Sequence, residues 1–393
     1  MRDKRFVALI LSILAVSSAA LLLTWGALHF FTGSSQLARA VVWLDSDIQD
    51  YRRFPARRVQ NAPPVFNFQQ PGPELRQKIA PVFEQVAAQY GGQAKRRDFE
   101  SLLERSGTVA FLVIQDDTLL YEGYFHGYQR ESTVTSFSIS KSFLSALVGI
   151  AIQEGFIASL EEPVTSYAPE LLERDARYRE INLRHLLSMS SGIRYIEDSK
   201  PWRSDYFSIY YAPDLRAVAL SSPIEAAPGK AFRYNNFNPL LIGLVLERAT
   251  GMHVAEYLQE KIWKPLGMED GGSWSLDSLE SGFEKMESGL NGRAIDFAKF
   301  GRLYLRGGEW EGRQIVPAAW VEESTRPDAL SDPNPYYQYF WWLNPNQPGH
   351  FFAHGKLGQY IYIIPEQNLL ILRFGRSERG QRFTELFEDL ARE

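Results

Sequence analysis

From Phe143 to Gln153 the chain reads FLSALVGIAIQ, apolar on almost every face of a helix, and Gly155 stops it. A helix with no polar stripe has no side to give to water. It must lie inside a core, and the rest of the chain must be built around it. Two β-hairpin patterns flank it at a distance. Upstream, Val109 to Ile114 and Leu119 to Phe125 are joined by the turn Asp116-Asp117. Downstream, Gln359 to Ile364 and Leu369 to Phe374 are joined by Pro365-Glu366-Gln367-Asn368, and a helical stretch from Gln381 to Arg392 follows. The segments between are mostly helical, with caps at Asn182, Asn238-Pro239 and Asp296 and stops at Gly192 and Gly251. Hairpins far apart in sequence that enclose helices predict an α+β fold, an antiparallel sheet flanked by helices with a helical insertion.

The first 31 residues impose a second constraint. Arg2, Lys4 and Arg5 precede a run, Phe6 to Phe31, without a formal charge. As a helix it would be ~39 Å long, against a hydrocarbon core of ~30 Å. Export signals have shorter apolar regions, typically about 7–15 residues. The run reads as an N-terminal transmembrane helix, with a cleaved export signal as the alternative. Ala38-Arg39-Ala40 imitates a cleavage site but lies past the apolar stretch. The positive flank predicts a single pass through the inner membrane with the remainder in the periplasm. The expected organisation is an anchor or signal over 1–35, a proline-bearing linker and membrane-proximal helix over 36–105, and one large domain over 106–393.

Composition narrows the chemistry. The net charge of −5 argues against nucleic-acid binding, and zero Cys removes thiol nucleophiles and Cys-based zinc sites. No GxSxG, HExxH, Walker A or GxGxxG sequence is present, and no metal site or cofactor is expected.

Three stretches could carry a reaction. Ser138 stands at the first turn of the apolar helix, and Lys141, three residues on, shares its face. A serine hydroxyl attacks poorly until a base takes its proton, and a lysine in a low-dielectric site loses its charge more easily. The N–H of Ser138 could supply half of an oxyanion hole. Tyr234-Asn235-Asn236 precedes a second apolar helix. Tyr234 could move a proton and Asn236 could donate to the base or to a substrate carbonyl, or the pair could be packing and cap. His354-Gly355-Lys356-Leu357-Gly358-Gln359 opens a strand, where Gly355 and Gly358 permit close approach of a ligand or make a bulge.

Ser-x-x-Lys, Tyr-x-Asn and a glycine-bearing strand edge, in this order, resemble the serine β-lactamase and penicillin-binding-protein superfamily. SFSISKSFLSALVGIAIQEG, LRHLLSMSSGI, PGKAFRYNNFNPLLIGLVLERATG, IWKPLGM and GRLYLRGGEWEGRQIVP are similar to class C β-lactamase-related hydrolases, most of all to the 6-aminohexanoate-dimer hydrolase branch. The likeness runs from Thr108 to the C-terminus. It implies a β-lactamase-like serine hydrolase domain over 106–393, in which Ser138 is acylated, Lys141 is the base and Tyr234 passes the proton to the leaving group. It implies that Asn236 and the Gly355–Gly358 edge bind substrate, the edge giving the second oxyanion N–H. Trp202 and Asp205 fall where that branch has substrate-contacting loops. Asp205 would pair with a substrate ammonium, its other reading being a solvated loop acid. No Ser or Thr follows His354, which should weaken recognition of a penicillin carboxylate. The expectation is a hydrolase of a small-molecule amide or ester, with an acylated sensor or a β-lactamase/D-amino peptidase as alternatives.

Overall fold

The computed structural model describes residues 10–11, 13–21, 23–24, 36–90, 98–198, 203–327 and 334–392. Its strands are β1 (Ala56–Val59), β2 (Thr108–Gln115), β3 (Thr118–Tyr124), β4 (Thr133–Thr135), β5 (Gly272–Ser275), β6 (Leu290–Arg293), β7 (Glu309–Trp310), β8 (Arg313–Gln314), β9 (Tyr337–Gln338), β10 (Trp341–Leu343), β11 (Phe351–Gly355), β12 (Gln359–Ile364) and β13 (Leu369–Gly375). The helices used below are α1 (Gln36–Trp43), α2 (Pro73–Tyr90), α3 (Phe99–Arg105), α4 (Ile139–Gln153), α5 (Asp205–Tyr210), α6 (Phe237–Thr250), α7 (Ala294–Leu305) and α8 (Phe383–Arg392).

Both predicted hairpins form, and they lie side by side. The seven-stranded sheet has the order β3-β2-β13-β12-β11-β10-β9, and every pair in it is antiparallel. The Asp116-Asp117 turn holds both residues at positive φ, 47° and 62°, the backbone a tight two-residue hairpin needs. Helices cover both faces of the sheet. On one face α2, α3 and α8 bury Phe83, Phe99, Leu386 and Phe387 against Phe111, Tyr362 and Ile371. On the other, Gly301 of α7 brings that helix so close that a Cβ there would lie 2.6 Å from Leu370. That double cover explains why β12 and β13 are buried at every position and read as unbroken apolar runs rather than alternating ones.

The all-apolar helix is α4, buried from Ile139 to Ala151. Phe143 stacks on Phe300 of α7 at 3.6 Å between centroids. Each fully buried Leu of this layer contributes about 1.5–3 kcal/mol of transfer free energy. A smaller sheet, β1-β5-β6-β4, carries the chain into α4 through β4. The segment expected as a linker is instead built into the fold. Ala56–Val59 pairs with β5, and α2 joins the sheet's cover. A four-residue strand with two arginines has no periodic signal of its own, so only its tertiary partner specifies it.

Asp296 sits inside the first turn of α7 rather than at its cap, ion-paired with Lys299 at 3.3 Å. Asn182 is a true cap, accepting from the His185 N–H at 3.0 Å while the His185 ring takes the Asn182 N–H. The expected transmembrane helix finds no support here: among the described residues no helix is long and apolar enough to cross a membrane. Much of the 6–31 run lies outside the described residues.

Candidate active site

The candidate nucleophile, Ser138, is presented by a sharp turn. The Ser136 N–H donates to the Leu290 carbonyl at 2.9 Å, which ties the end of β4 to β6. Phe137 then takes φ +49°, a left-handed conformation uncommon for a bulky residue, and Ser138 becomes the N-cap of α4. One helical turn later, Lys141 is 1% exposed. Its Nζ lies 2.9 Å from Ser138 Oγ and donates to the Glu287 carbonyl at 2.7 Å. The same nitrogen lies 5.1 Å from the centroid of the Tyr234 ring. The expected Ser, Lys and Tyr therefore converge. The Tyr234 hydroxyl makes no hydrogen bond to another described residue. Its ring is fixed by stacking on Trp342 at 5.7 Å and by edge contact with Tyr337 at 5.8 Å.

Glu287 contributes its backbone to the site and not its carboxylate. That carboxylate is buried and paired with Lys285 at 3.0 Å. Lys285 is itself held by the Tyr210 carbonyl at 2.7 Å and by the rings of Phe54 and Tyr210. Tyr210 in turn donates to Asp50, whose pKa burial pushes up.

An open cleft of about 420 Å³ is lined by Ser138, Tyr234, Asn236 and the His354-Gly355-Lys356 stretch, and by Glu197, Tyr206 and Trp342, which the sequence did not single out. Asn236 donates through Nδ2 to the Tyr195 hydroxyl at 3.0 Å, and its buried Oδ1 has no partner among the described residues. The capping role weighed for the Tyr-x-Asn stretch falls to Asn235, whose Oδ1 accepts from the Phe237 N–H at 2.8 Å. Gly355 ends β11 against the nucleophile's turn. A Cβ there would lie 2.5 Å from the Ser136 carbonyl oxygen and 3.1 Å from the Ser138 nitrogen. Neither the Ser138 nor the Lys356 backbone N–H donates to another described residue, so both are available as donors at the cleft.

Three expected positions behave differently. Gly358, at φ +79°, turns the loop below the cleft and does not line it. Asp205 opens α5 and spends its carboxylate on the Ile196 N–H at 2.7 Å, so it fastens a loop. Trp202 lies outside the described residues. The carboxylate lining the cleft is Glu197, eight positions before Asp205, with Ser204 and Tyr206 beside it. Nothing local distinguishes Glu197 from other loop acids.

Lys356, Trp342 and His354 complete the lining. Lys356 pairs with Asp45 at 2.6 Å and approaches the Tyr206 hydroxyl at 3.3 Å. Burial opposes its charge, but Tyr206 and Asp45 hold its pKa above the ordinary lysine value. The His354 ring meets Glu378 at 3.3 Å. Among the described residues no group of three His, Asp or Glu side chains could hold a metal ion.

The chain is similar to known hydrolases. The 6-aminohexanoate-dimer hydrolase of Paenarthrobacter ureafaciens is 28% identical over 304 residues, covering 70% of this chain and 74% of that protein. Esterase EstB of Burkholderia gladioli is 32% identical over 160 residues, 38% of this chain and 40% of its own. Among solved structures, a Bacillus anthracis protein provisionally assigned as a 6-aminohexanoate-dimer hydrolase shares the fold. Its TM-score is 0.75, covering 89% of this chain and 94% of that one at 23% identity. The model of the beta-lactamase family matches residues 96–387, and by that match the chain belongs to the beta-lactamase family of serine hydrolases.

Proposed function

We propose that this protein hydrolyses a small-molecule amide or ester through an acyl-enzyme on Ser138. The observation that carries the reading is the 2.9 Å contact between a buried lysine amine and a serine hydroxyl at the base of an open cleft. In the reaction the Lys141 amine takes the Ser138 proton as Oγ attacks the carbonyl carbon. The negative charge that develops on the carbonyl oxygen is met by the Ser138 and Lys356 N–H groups. The C–N or C–O bond then breaks as Tyr234 hands its proton to the departing amine or alcohol, and Lys141 passes the proton it took from Ser138 on to Tyr234. Water attacks the ester so formed, and the acid leaves as Ser138 regains its proton. The hydrolases among the relatives support the same class of substrate.

Amide or ester cleavage is favoured over β-lactam turnover because no hydroxyl follows His354 to help bind a ring carboxylate. The charge-free run 6–31 supports an anchor, or an export signal, that places the domain in the periplasm; fractionation with carbonate and detergent washes tests it. The enzymatic reading is tested with a p-nitrophenyl ester and a short linear amide. Wild type should turn over at least one of them, and S138A should lose at least about 1,000-fold in kcat. Equal turnover by S138A contradicts the reading.

A further inference from the structure

The loop that offers the second amide donor is Gly355-Lys356-Leu357-Gly358, and each of its four carbonyls is held. The Gly358 N–H donates to the Gly355 carbonyl at 3.2 Å. Gln359 Nε2 donates to the Lys356 carbonyl at 2.9 Å and to the Gly375 carbonyl at 2.7 Å, while its Oε1 accepts from the Gly375 N–H at 2.7 Å. Arg373 Nη1 donates to the Leu357 carbonyl at 3.2 Å and to the Gly358 carbonyl at 2.5 Å. Its other donors go to the Ser106 carbonyl at 3.2 Å, the Ser377 carbonyl at 2.7 Å and Thr108 Oγ1 at 2.9 Å.

This use of an arginine is unusual. Arg373 and Gln359 are both 0% exposed and stand on the neighbouring strands β13 and β12. A guanidinium has five N–H donors, and Arg373 directs its hydrogen bonds to four backbone carbonyls and a threonine hydroxyl rather than to a carboxylate. Glycines make the room for it. A Cβ on Gly358 would lie 2.2 Å from Arg373 Nη1, and one on Gly375 would lie 2.4 Å from the same atom. The price of the turn falls on Leu357, at φ +67°, which a leucine rarely adopts without being held there. The Gly355–Lys356 peptide is the one that matters to the reaction. A trans peptide points its N–H opposite to its C=O, and the Gly358 N–H fixes that carbonyl toward the turn. The Lys356 N–H is thereby sent the other way, on the edge that Gly355 and Lys356 share with Ser138.

The geometry points to Gln359 and Arg373 as positioning residues that lock the Gly355–Gly358 loop and so keep the Lys356 N–H aimed at the developing oxyanion. Neither lines the cleft. The assignment rests on the hydrolase reading above. It predicts that loosening either residue weakens binding of the tetrahedral state while leaving ground-state binding alone.

Two conservative variants of the full chain test it. Q359E keeps the shape and the acceptor for Gly375 but loses both donors. R373K keeps the charge but not the planar fork. For each, kcat and KM on a p-nitrophenyl ester, the inhibition constant of an arylboronic acid and the thermal unfolding midpoint are measured. The boronic acid probes the site because the serine oxygen adds to boron to give a tetrahedral adduct. Expected is a fall of about 10- to 100-fold in kcat, with KM within about twofold and boronate affinity falling in step with kcat. A lowered unfolding midpoint, with kcat and boronate affinity unmoved in both variants, overturns the assignment and leaves the hydrolase reading standing. Should one variant fail to fold, the other supports the same comparison. If wild type neither turns over the ester nor binds the boronate, the hydrolase reading fails, and this assignment with it.

Discussion

The floor and the rim of the cleft are made in different ways. The floor is Ser138 and Lys141 on α4, a helix buried along its length between sheet and helices, with the lysine held by a carbonyl of the neighbouring Glu287. The rim is Glu197, Ser204, Tyr206 and Lys356, contributed by loops and one short helix, and held by exposed ion pairs such as Lys356 with Asp45. Asp45 is 81% exposed, so that pair contributes little to stability. The difference teaches a division of labour. The proposed reacting groups are fixed by the same packing that stabilises the domain. The rim groups that line the cleft stand instead on loops and one short helix, away from that core helix.

That division can be broken or sharpened by experiment. The largest effect should come from the floor: K141M should cut kcat by about 100- to 10,000-fold on every substrate with KM nearly unmoved. A loss confined to one substrate would move the lysine from floor to rim. Next comes the joint between the two, Gly355. G355A should cost about 10- to 100-fold in kcat, because its Cβ would lie 2.5 Å from the Ser136 carbonyl and must displace either β11 or the nucleophile's turn. Activity within twofold of wild type would show that the edge does not act on the reaction.

Rim changes should be smaller and substrate-selective. E197Q should shift KM by about 3- to 10-fold between substrates with and without an amino group and leave kcat alone. A uniform loss of kcat would contradict the division. The smallest effect is on stability. The hydrogen bond with His354 holds the Glu378 pKa below its ordinary value of 4.5. The carboxylate therefore adds stability above pH 4.5, lost as pH falls through the lower, folded value. E378Q should lower the unfolding midpoint by about 1 °C at pH 7, since both side chains are partly exposed, and by nothing once the wild-type carboxyl is protonated. An equal shift at both pH values would assign the loss to packing.

The same division governs what the sequence discloses. The apolar helix after Ser138 announces burial on all sides, and the Ser-x-x-Lys spacing puts the serine and lysine side chains on one face. Both are local signals, and both hold in the structure. The paired hairpins were equally legible, because apolar-rich runs around an Asp-Asp or Pro-Glu-Gln-Asn turn have few other uses. The rim is different. Asp205 and Glu197 are both loop acids, and only the fold decides that one binds the Ile196 N–H while the other faces the cleft. Gly358 looked like room for a ligand, yet the room is taken by Arg373, fifteen positions downstream, on a neighbouring strand. Contacts set by strand register leave no mark at either end of the sequence pair. The segment 36–105 hid its role for the same reason, since β1 is specified by β5 more than two hundred residues away.

The central claim is that Ser138 becomes acylated because Lys141 deprotonates it. Its most direct test is a rapid-quench reaction with an ester substrate, followed by intact mass and peptide mapping. A transient mass increase equal to the acyl group is expected on the peptide bearing Ser138, formed at least about 100-fold more slowly in K141M and absent in S138A. Product release by wild type with the acyl group on another residue, or at an unchanged rate in S138A, would contradict it.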